Sequence, residues 1–133
     1  MRFLRQQRLR APEIEPVGWA GDALFLGELK SRIVLLDFFS FGDPEGVRAL
    51  GRIRRLGDHY RDVGLTVLGI HVPAYEFERP LEPARQEIWR LGIPYPVALD
   101  HAFDVYRAYD NRDLPARWLV DGDGFARFWH HGA

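Results

Sequence analysis

The sequence predicts an α/β domain in which helices flank a central mixed sheet that ends in a β-hairpin. Two apolar runs, 33–39 and 65–72, have the length and composition of strands buried on both faces. A segment with helical apolar spacing lies between them, and this alternation predicts right-handed crossovers and a mainly parallel sheet. Gly122-Asp123-Gly124 separates two later strand-like runs, which predicts a closing hairpin with an antiparallel strand.

Length and composition fit one domain and exclude several function classes. The chain has 133 residues, is 47% apolar and carries a net charge of −1, so we expect a packed core and no nucleic-acid partner. No apolar run approaches the length of a membrane span. The basic segment 1–10 lacks the apolar stretch of a secretory signal, so we expect a cytoplasmic protein. We interpret 1–10 as an arm and 11–133 as the domain.

The first long helix is predicted directly after the strand at 33–39. Asp43 has the character of an N-cap, Pro44 suits the first helical position, and Gly64 is placed to end the helix. Spacings of three and four residues then give one apolar helix face, formed by Val47, Leu50, Ile53, Leu56, Tyr60 and Val63.

The rest of the chain is predicted to alternate between strands and helices. Short flanking strands are expected at 11–14 and 24–26, before the core. A loop bracketed by prolines, 73–83, follows the second core strand. The later elements, in chain order, are helix 84–91, strand 97–99, helix 101–109 and the hairpin strands 116–121 and 125–130.

Several segments in this order carry a resemblance to a known family. They are Gly64 to His71, the stretch Leu-Gly-Ile-Pro-Tyr-Pro-Val-Ala-Leu-Asp at 91–100, and the run from Asn111 to Asp121. Together they resemble the thioredoxin-like proteins of the TlpA and peroxiredoxin-related group. The closest likeness is to domains found with NHL repeats or with cytochrome-biogenesis proteins. The resemblance runs from about Ala11 to Gly132 and implies the thioredoxin fold.

The sequence departs from that family at its redox motif. The family has Cys-x-x-Cys after the first core strand, whereas here Asp43 and Gly46 occupy the two cysteine positions. The chain contains no cysteine at all, which excludes disulfides, thiolate metal sites and a cysteine nucleophile. A carboxylate at Asp43 would gain from the helix dipole but cannot cycle between redox states. We therefore expect neither dithiol oxidoreductase nor peroxidase activity.

The resemblance also implies a groove beside the former motif. Pro115 matches the family's cis-proline, and Phe41, Gly42, Asp43, Leu114 and Pro115 would line a surviving peptide-binding groove. The alternative is that the fold is retained without the groove's function, with Asp43 acting only as an N-cap. Asp37 resembles the family's buried acid and would be a vestigial group with a perturbed pKa.

The histidines and acidic residues predict no metal or cofactor site. The histidines are scattered along the chain, and adjacent strand residues such as His130 and His131 point to opposite faces. The segment 121–124 resembles part of a calcium loop but lacks the full ligand set, so we interpret it as the hairpin turn. An acid–base pairing of His71 with a nearby glutamate stays open. The residues considered are His71, His101, His130, His131, Glu76 and Glu78.

These observations favour a non-catalytic module that binds a protein or a peptide. Two alternatives stay open: a domain that binds or senses a small molecule through the groove near Pro115, and an accessory subunit of a redox system whose cysteines lie on a partner. Fold alone does not decide among them.

A homodimer or a partner protein is expected to cover one face of the sheet. Family members continue into a C-terminal helix, which is apparently missing after 125–130. Uncovered sheet residues would form an apolar patch of a size that monomers rarely expose. We expect Phe125, Phe128 and Trp129 to form the contact. The competing expectation is that the arm 1–10, through Phe3, Leu4 and Leu9, folds over the gap.

Overall fold

A computed structural model describes residues 2–3 and 9–131, and it confirms the predicted α/β class with a mixed sheet and a closing hairpin. The described residues form three helices, α1 (Pro44–Tyr60), α2 (Leu81–Arg90) and α3 (Asp104–Ala108). They also form eight strands: β1 (Arg2–Phe3), β2 (Leu9–Arg10), β3 (Gly18–Ala20), β4 (Ile33–Phe39), β5 (Leu65–His71), β6 (Val97–Leu99), β7 (Ala116–Val120) and β8 (Phe125–His131).

One sheet contains all eight strands, in the order β1-β8-β7-β4-β5-β6-β3, and β2 also pairs with β8. The three central strands β4, β5 and β6 are parallel. Strands β7 and β3 pair with this centre in antiparallel orientation, and β8 pairs antiparallel with β7. Because β4, β5 and β6 run the same way, the residues that follow them meet at one edge of the sheet.

Two helices, α1 and α2, cover one face of the sheet, and their start and end signals agree with the sequence. Asp43 caps α1, since its carboxylate accepts the N–H of Glu45 at 3.1 Å, and Pro44 opens the helix. Gly64 has a φ of 104°, which reverses the chain after a 3₁₀ turn at Arg61–Val63. Within the described residues, no helix is both long and apolar enough to cross a bilayer.

The flanking strands predicted at 11–14 and 24–26 were wrong. The edge of β6 is instead occupied by β3, in which Trp19 pairs with Ala98. The Glu13 carboxylate accepts the N–H groups of Leu26 and Gly27, and this interaction stabilises a 3₁₀ turn where a strand was expected.

The two shorter helices differ from their predicted bounds. Helix α2 begins at Leu81, directly after Pro80, and not at residue 84. Helix α3 begins only at Asp104, because the Asp100 carboxylate accepts the N–H groups of Val105 and Tyr106 and holds the helix start there.

Alternate residues of β4 pack into two hydrophobic cores, one on each face of the sheet. Val34, Leu36 and Phe38 pack on the face that α3 covers, together with Val105. Leu35 and Phe39 face α1 and α2. This alternation is the pattern expected for a strand buried on both faces.

The last strand does not present its three aromatic residues on one surface. Phe128 pairs with Leu119 and the next residue, Trp129, pairs with Trp118, so these two rings lie on opposite faces of the sheet. The described ends of the arm, β1 and β2, extend the sheet along the edge of β8. Leu4 and its neighbours up to residue 8 lie outside the described residues, and the homodimer stays a prediction.

Candidate functional site

The edge of the sheet where the parallel strands end gathers polar side chains from three strands. Ser40 directly follows β4, His71 is the last residue of β5, and His101 lies two residues after β6. Glu78 reaches the same place from a 3₁₀ turn, Glu76–Glu78, in the loop after β5. We call Ser40, His71, Glu78 and His101 the His–Glu cluster.

A continuous line of hydrogen bonds joins the His–Glu cluster. Ser40 donates its hydroxyl to Glu78 Oε2 at 2.5 Å, and Glu78 Oε1 lies 2.9 Å from His71 Nε2. His71 Nδ1 lies 3.0 Å from His101 Nε2, and His101 Nδ1 donates to the carbonyl of Arg79 at 2.6 Å. The line therefore uses all four ring nitrogens of the two imidazoles.

The members of the His–Glu cluster differ in burial, and burial affects their pKa values. Ser40, His71 and Glu78 are buried, whereas His101 is partly exposed. Burial alone would raise the pKa of Glu78, but the hydrogen bonds from His71 and Ser40 and the nearby imidazole outweigh it and lower that pKa. Burial lowers the pKa of His101, because the imidazolium loses hydration. The glutamate is therefore held as a carboxylate.

Three aromatic rings cover the cluster on the solvent side. The ring of Phe41 stacks on His71, with centroids 4.5 Å apart and planes inclined by 7°. The ring centroid of Phe77 lies 6.1 Å from that of Phe41 and 5.9 Å from that of Tyr75. Phe77 is 64% exposed and Tyr75 is 51% exposed. We call Phe41, Tyr75 and Phe77 the aromatic patch.

The turn that replaces the redox motif packs directly against the aromatic patch. A Cβ added at Gly42 would lie 2.5 Å from the ring of Tyr75, so only glycine allows this approach. Asp43 is engaged as the cap of α1, and Gly46 is buried in the first turn of that helix. Asp43 and Gly46, which are predicted to occupy the family's two cysteine positions, therefore both lie at the helix start.

The predicted groove residues lie at this same edge. The Leu114–Pro115 bond is cis, as predicted. Ala116, the next residue, pairs with Phe38 of β4, which brings Pro115 close to the chain that leads into Phe41. Pro115 is buried and Leu114 is half-buried. Their role in binding a ligand stays a prediction.

A second buried polar group lies under α1, away from the His–Glu cluster. Asp37 of β4 pairs with Arg117 of β7, with Oδ1 and Nε 3.2 Å apart. Burial raises the pKa of Asp37 to about 6, although Arg117 opposes the shift. Within the described residues, Asp37 Oδ2, Arg117 Nη2 and the Tyr95 hydroxyl are buried without a hydrogen-bond partner. Burial also raises the pKa of Tyr95.

The structure brings together residues that the sequence reading treated as scattered. His71 and His101 are 30 positions apart, yet they are in contact, and Glu78 rather than Glu76 is the acidic partner. Glu76 is exposed and lies 3.9 Å from Arg79. In the part of the chain that the structure describes, no group of three or more His, Cys, Asp or Glu residues is arranged to hold a metal ion. One signal could have located the cluster: its residues follow the ends of successive predicted parallel strands.

Comparisons with known proteins place these features in context. No family model matches the sequence. Protein DipZ of Mycobacterium tuberculosis is 33% identical over 122 residues, which cover 88% of this chain and 18% of DipZ. Thiol-disulfide oxidoreductase ResA of Halalkalibacterium halodurans is 24% identical over 104 residues, which cover 78% of this chain and 56% of ResA. The chain thus spans less than a fifth of the length of DipZ.

Solved structures show the same architecture. A thiol:disulfide interchange protein DsbE from Chlorobium tepidum superposes with a TM-score of 0.81 at 18% identity, covering 96% of this chain and 86% of that protein. The mixed sheet and its flanking helices match this fold. The chain therefore has the thioredoxin-like fold, it is similar in sequence to a thiol-disulfide oxidoreductase, and it contains no cysteine.

Proposed function

We propose that this domain is a non-catalytic module that binds an extended segment of a partner protein at the aromatic patch. The observation that carries the proposal is the exposure of Tyr75 and Phe77 beside the turn at 41–43. Large aromatic side chains at a surface lose little conformational entropy on binding and are enriched among the residues that dominate interface energies.

The surroundings of the patch favour an extended peptide as the ligand. Phe41 and Phe77 present apolar rings, and Leu114 adds a half-buried aliphatic side chain at the same sheet edge. Arg79 and Glu76 lie at the rim, where charged groups contribute to orientation more than to affinity. With no cysteine in the chain, contact at this edge would be binding without thiol exchange.

A displayed library of random peptides tests the proposal. Peptides selected on the wild-type domain should bind Phe77→Ser with an affinity lower by roughly 10- to 100-fold, the usual effect of removing an aromatic anchor. Trp89→Ser is the matched control, because Trp89 is an 86% exposed ring on α2. It should leave the affinity unchanged.

Two outcomes would contradict the proposal. One is a library that yields no peptide above the background obtained with an unrelated protein. The other is a set of peptides whose binding survives Phe77→Ser but is lost in Trp89→Ser. The second outcome would move the binding surface to α2.

A further inference from the structure

The hydrogen bonds of the His–Glu cluster allow its protons to be counted. The line runs from the carbonyl of Arg79 through His101 and His71 to the carboxylate of Glu78. A carbonyl oxygen and a carboxylate can only accept hydrogen bonds, so both ends of the line are acceptors. Three contacts join the four groups, and each contact needs one hydrogen.

Two neutral imidazoles cannot supply those three hydrogens. A neutral imidazole carries one N–H, so His71 and His101 together provide two. A neutral pair would leave one contact as two facing acceptors, at 3.0 Å or less. An unmade hydrogen bond of this kind is unfavourable, most of all at the buried contact between His71 and Glu78.

We infer that the His71–His101 pair is a proton-binding site, which holds one proton beyond its neutral state with the buried Glu78 carboxylate as its counter-ion. The third hydrogen then lies on an imidazole, and all three contacts are hydrogen bonds. The cluster has no net charge in this state, which makes its burial acceptable. The inference does not depend on the proposed function.

The surroundings of Glu78 place the proton on the histidines and not on the carboxylate. Glu78 Oε2 accepts the Tyr75 backbone N–H at 3.1 Å and the Ser40 hydroxyl at 2.5 Å. Donors of this kind favour the ionised acid, in agreement with the lowered pKa of Glu78.

The neighbouring charged groups are engaged elsewhere. Asp100, after β6, accepts the N–H groups of Val105 and Tyr106. Glu76, on the 3₁₀ turn, and Arg79, directly after it, face each other at the surface. From the other elements around the cluster, Asp43 caps α1 and Asp37 of β4 pairs with Arg117 of β7. Strands β5 and β6 carry no charged side chain besides His71.

The proton therefore stabilises the contact between the 3₁₀ turn Glu76–Glu78 and the sheet. Glu78 belongs to that turn, and His71 belongs to β5. Loss of the proton would leave one of the three contacts unmade and weaken the attachment of the turn that carries Phe77.

Glu78→Gln is the sharpest variant for a test. A glutamine at 78 can accept from Ser40 and Tyr75 through its oxygen and donate its own N–H to His71 Nε2. The line is then complete with two neutral imidazoles, so the extra proton is no longer needed. Glu76→Gln removes an exposed carboxylate from the same turn and is the matched control.

Nitrogen-15 NMR of the histidine rings counts the protons directly. Near neutral pH, three of the four ring nitrogens of His71 and His101 should be protonated in the wild type and in Glu76→Gln, and two of the four in Glu78→Gln. Only two protonated nitrogens in the wild-type protein would overturn the inference. Because this result comes from the wild type, the inference can be refuted even if Glu78→Gln fails to fold.

Unfolding at different pH values provides a second readout. Above about pH 7 the histidines of an unfolded chain have lost their protons, whereas the folded cluster still holds one. The unfolding equilibrium constant of the wild type should therefore rise about tenfold per pH unit until the folded cluster releases its proton. Glu78→Gln should lack this rise and Glu76→Gln should keep it. Equal pH dependence in the wild type and Glu78→Gln would overturn the inference.

Discussion

Replacing Asp37 by Asn should remove a pH dependence of stability that the wild-type protein carries. Asp37 lies in the centre of the sheet, almost completely buried, with one oxygen on Arg117 and the other without a partner among the described residues. Burial disfavours the carboxylate more than Arg117 favours it, and the pKa of Asp37 is raised from 3.8 to about 6.

The sign and the magnitude follow from proton linkage. Because the pKa is higher in the folded state, the folded protein binds the proton more tightly between these two pKa values. The free energy of unfolding therefore falls as the pH rises from about 4 through about 6. The difference of 6 − 3.8 = 2.2 pKa units corresponds to about 3 kcal/mol of stability lost by the carboxylate on ionising.

Asparagine has nearly the same shape as a protonated aspartic acid and does not ionise in this range. The free energy of unfolding of Asp37→Asn minus that of the wild type should therefore increase by about 3 kcal/mol as the pH rises from about 3.5 to about 7.5. Urea unfolding, followed by the fluorescence of the four tryptophans, measures this difference at each pH. Any offset caused by altered packing is the same at every pH and cancels.

The control for this experiment is Asp58→Asn, which removes an exposed carboxylate from α1. It should leave the pH profile of the wild type in place. A stability difference between Asp37→Asn and the wild type that stays constant within about 0.5 kcal/mol over the whole range would refute the reasoning. In that case the pairing with Arg117 would offset the burial of the carboxylate.

Two further predictions concern the former redox motif and the last strand. The wild type should not reduce insulin. The double variant Asp43→Cys with Gly46→Cys should form a disulfide, and loss of the Asp43 cap should lower its free energy of unfolding by about 0.5–2 kcal/mol. Cysteines that titrate as free thiols under oxidising conditions would show that the motif has been misaligned. The wild type should sediment as a dimer at micromolar concentration, and Phe128→Ser should weaken the dimer, because Phe128 lies on the α1 face of the sheet, where Ile33 and Leu56 are exposed. A clean monomer that binds no hydrophobic dye would contradict the second prediction.

Local sequence signals accounted for most of the core elements. The apolar run at 33–39 has the length and composition of a buried strand, and Asp43-Pro44 starts a helix through interactions within three residues. The prediction of flanking strands at 11–14 and 24–26 was wrong because short segments have little conformational preference of their own. Ala11 donates its N–H to Gly124, and Glu13 folds back on Leu26, so distant parts of the chain decide their conformation.

The candidate site shows the same division between local and distant interactions. The absence of a thiol for disulfide exchange is determined by the sequence alone, because the chain has no cysteine. The aromatic residues at 41, 75 and 77 could be read from the sequence, but their mutual stacking could not.

The His–Glu cluster was decided only by the tertiary structure. Ser40 and His101 follow two of the parallel strands and His71 ends the third, and they meet because crossovers bring the ends of those strands to one edge. Whether His71 pairs with Glu76 or with Glu78 depends on a single 3₁₀ turn, which buries one carboxylate and exposes the other. The need for an extra proton arises from these contacts, since hydrogens can be counted only once donors and acceptors are in place.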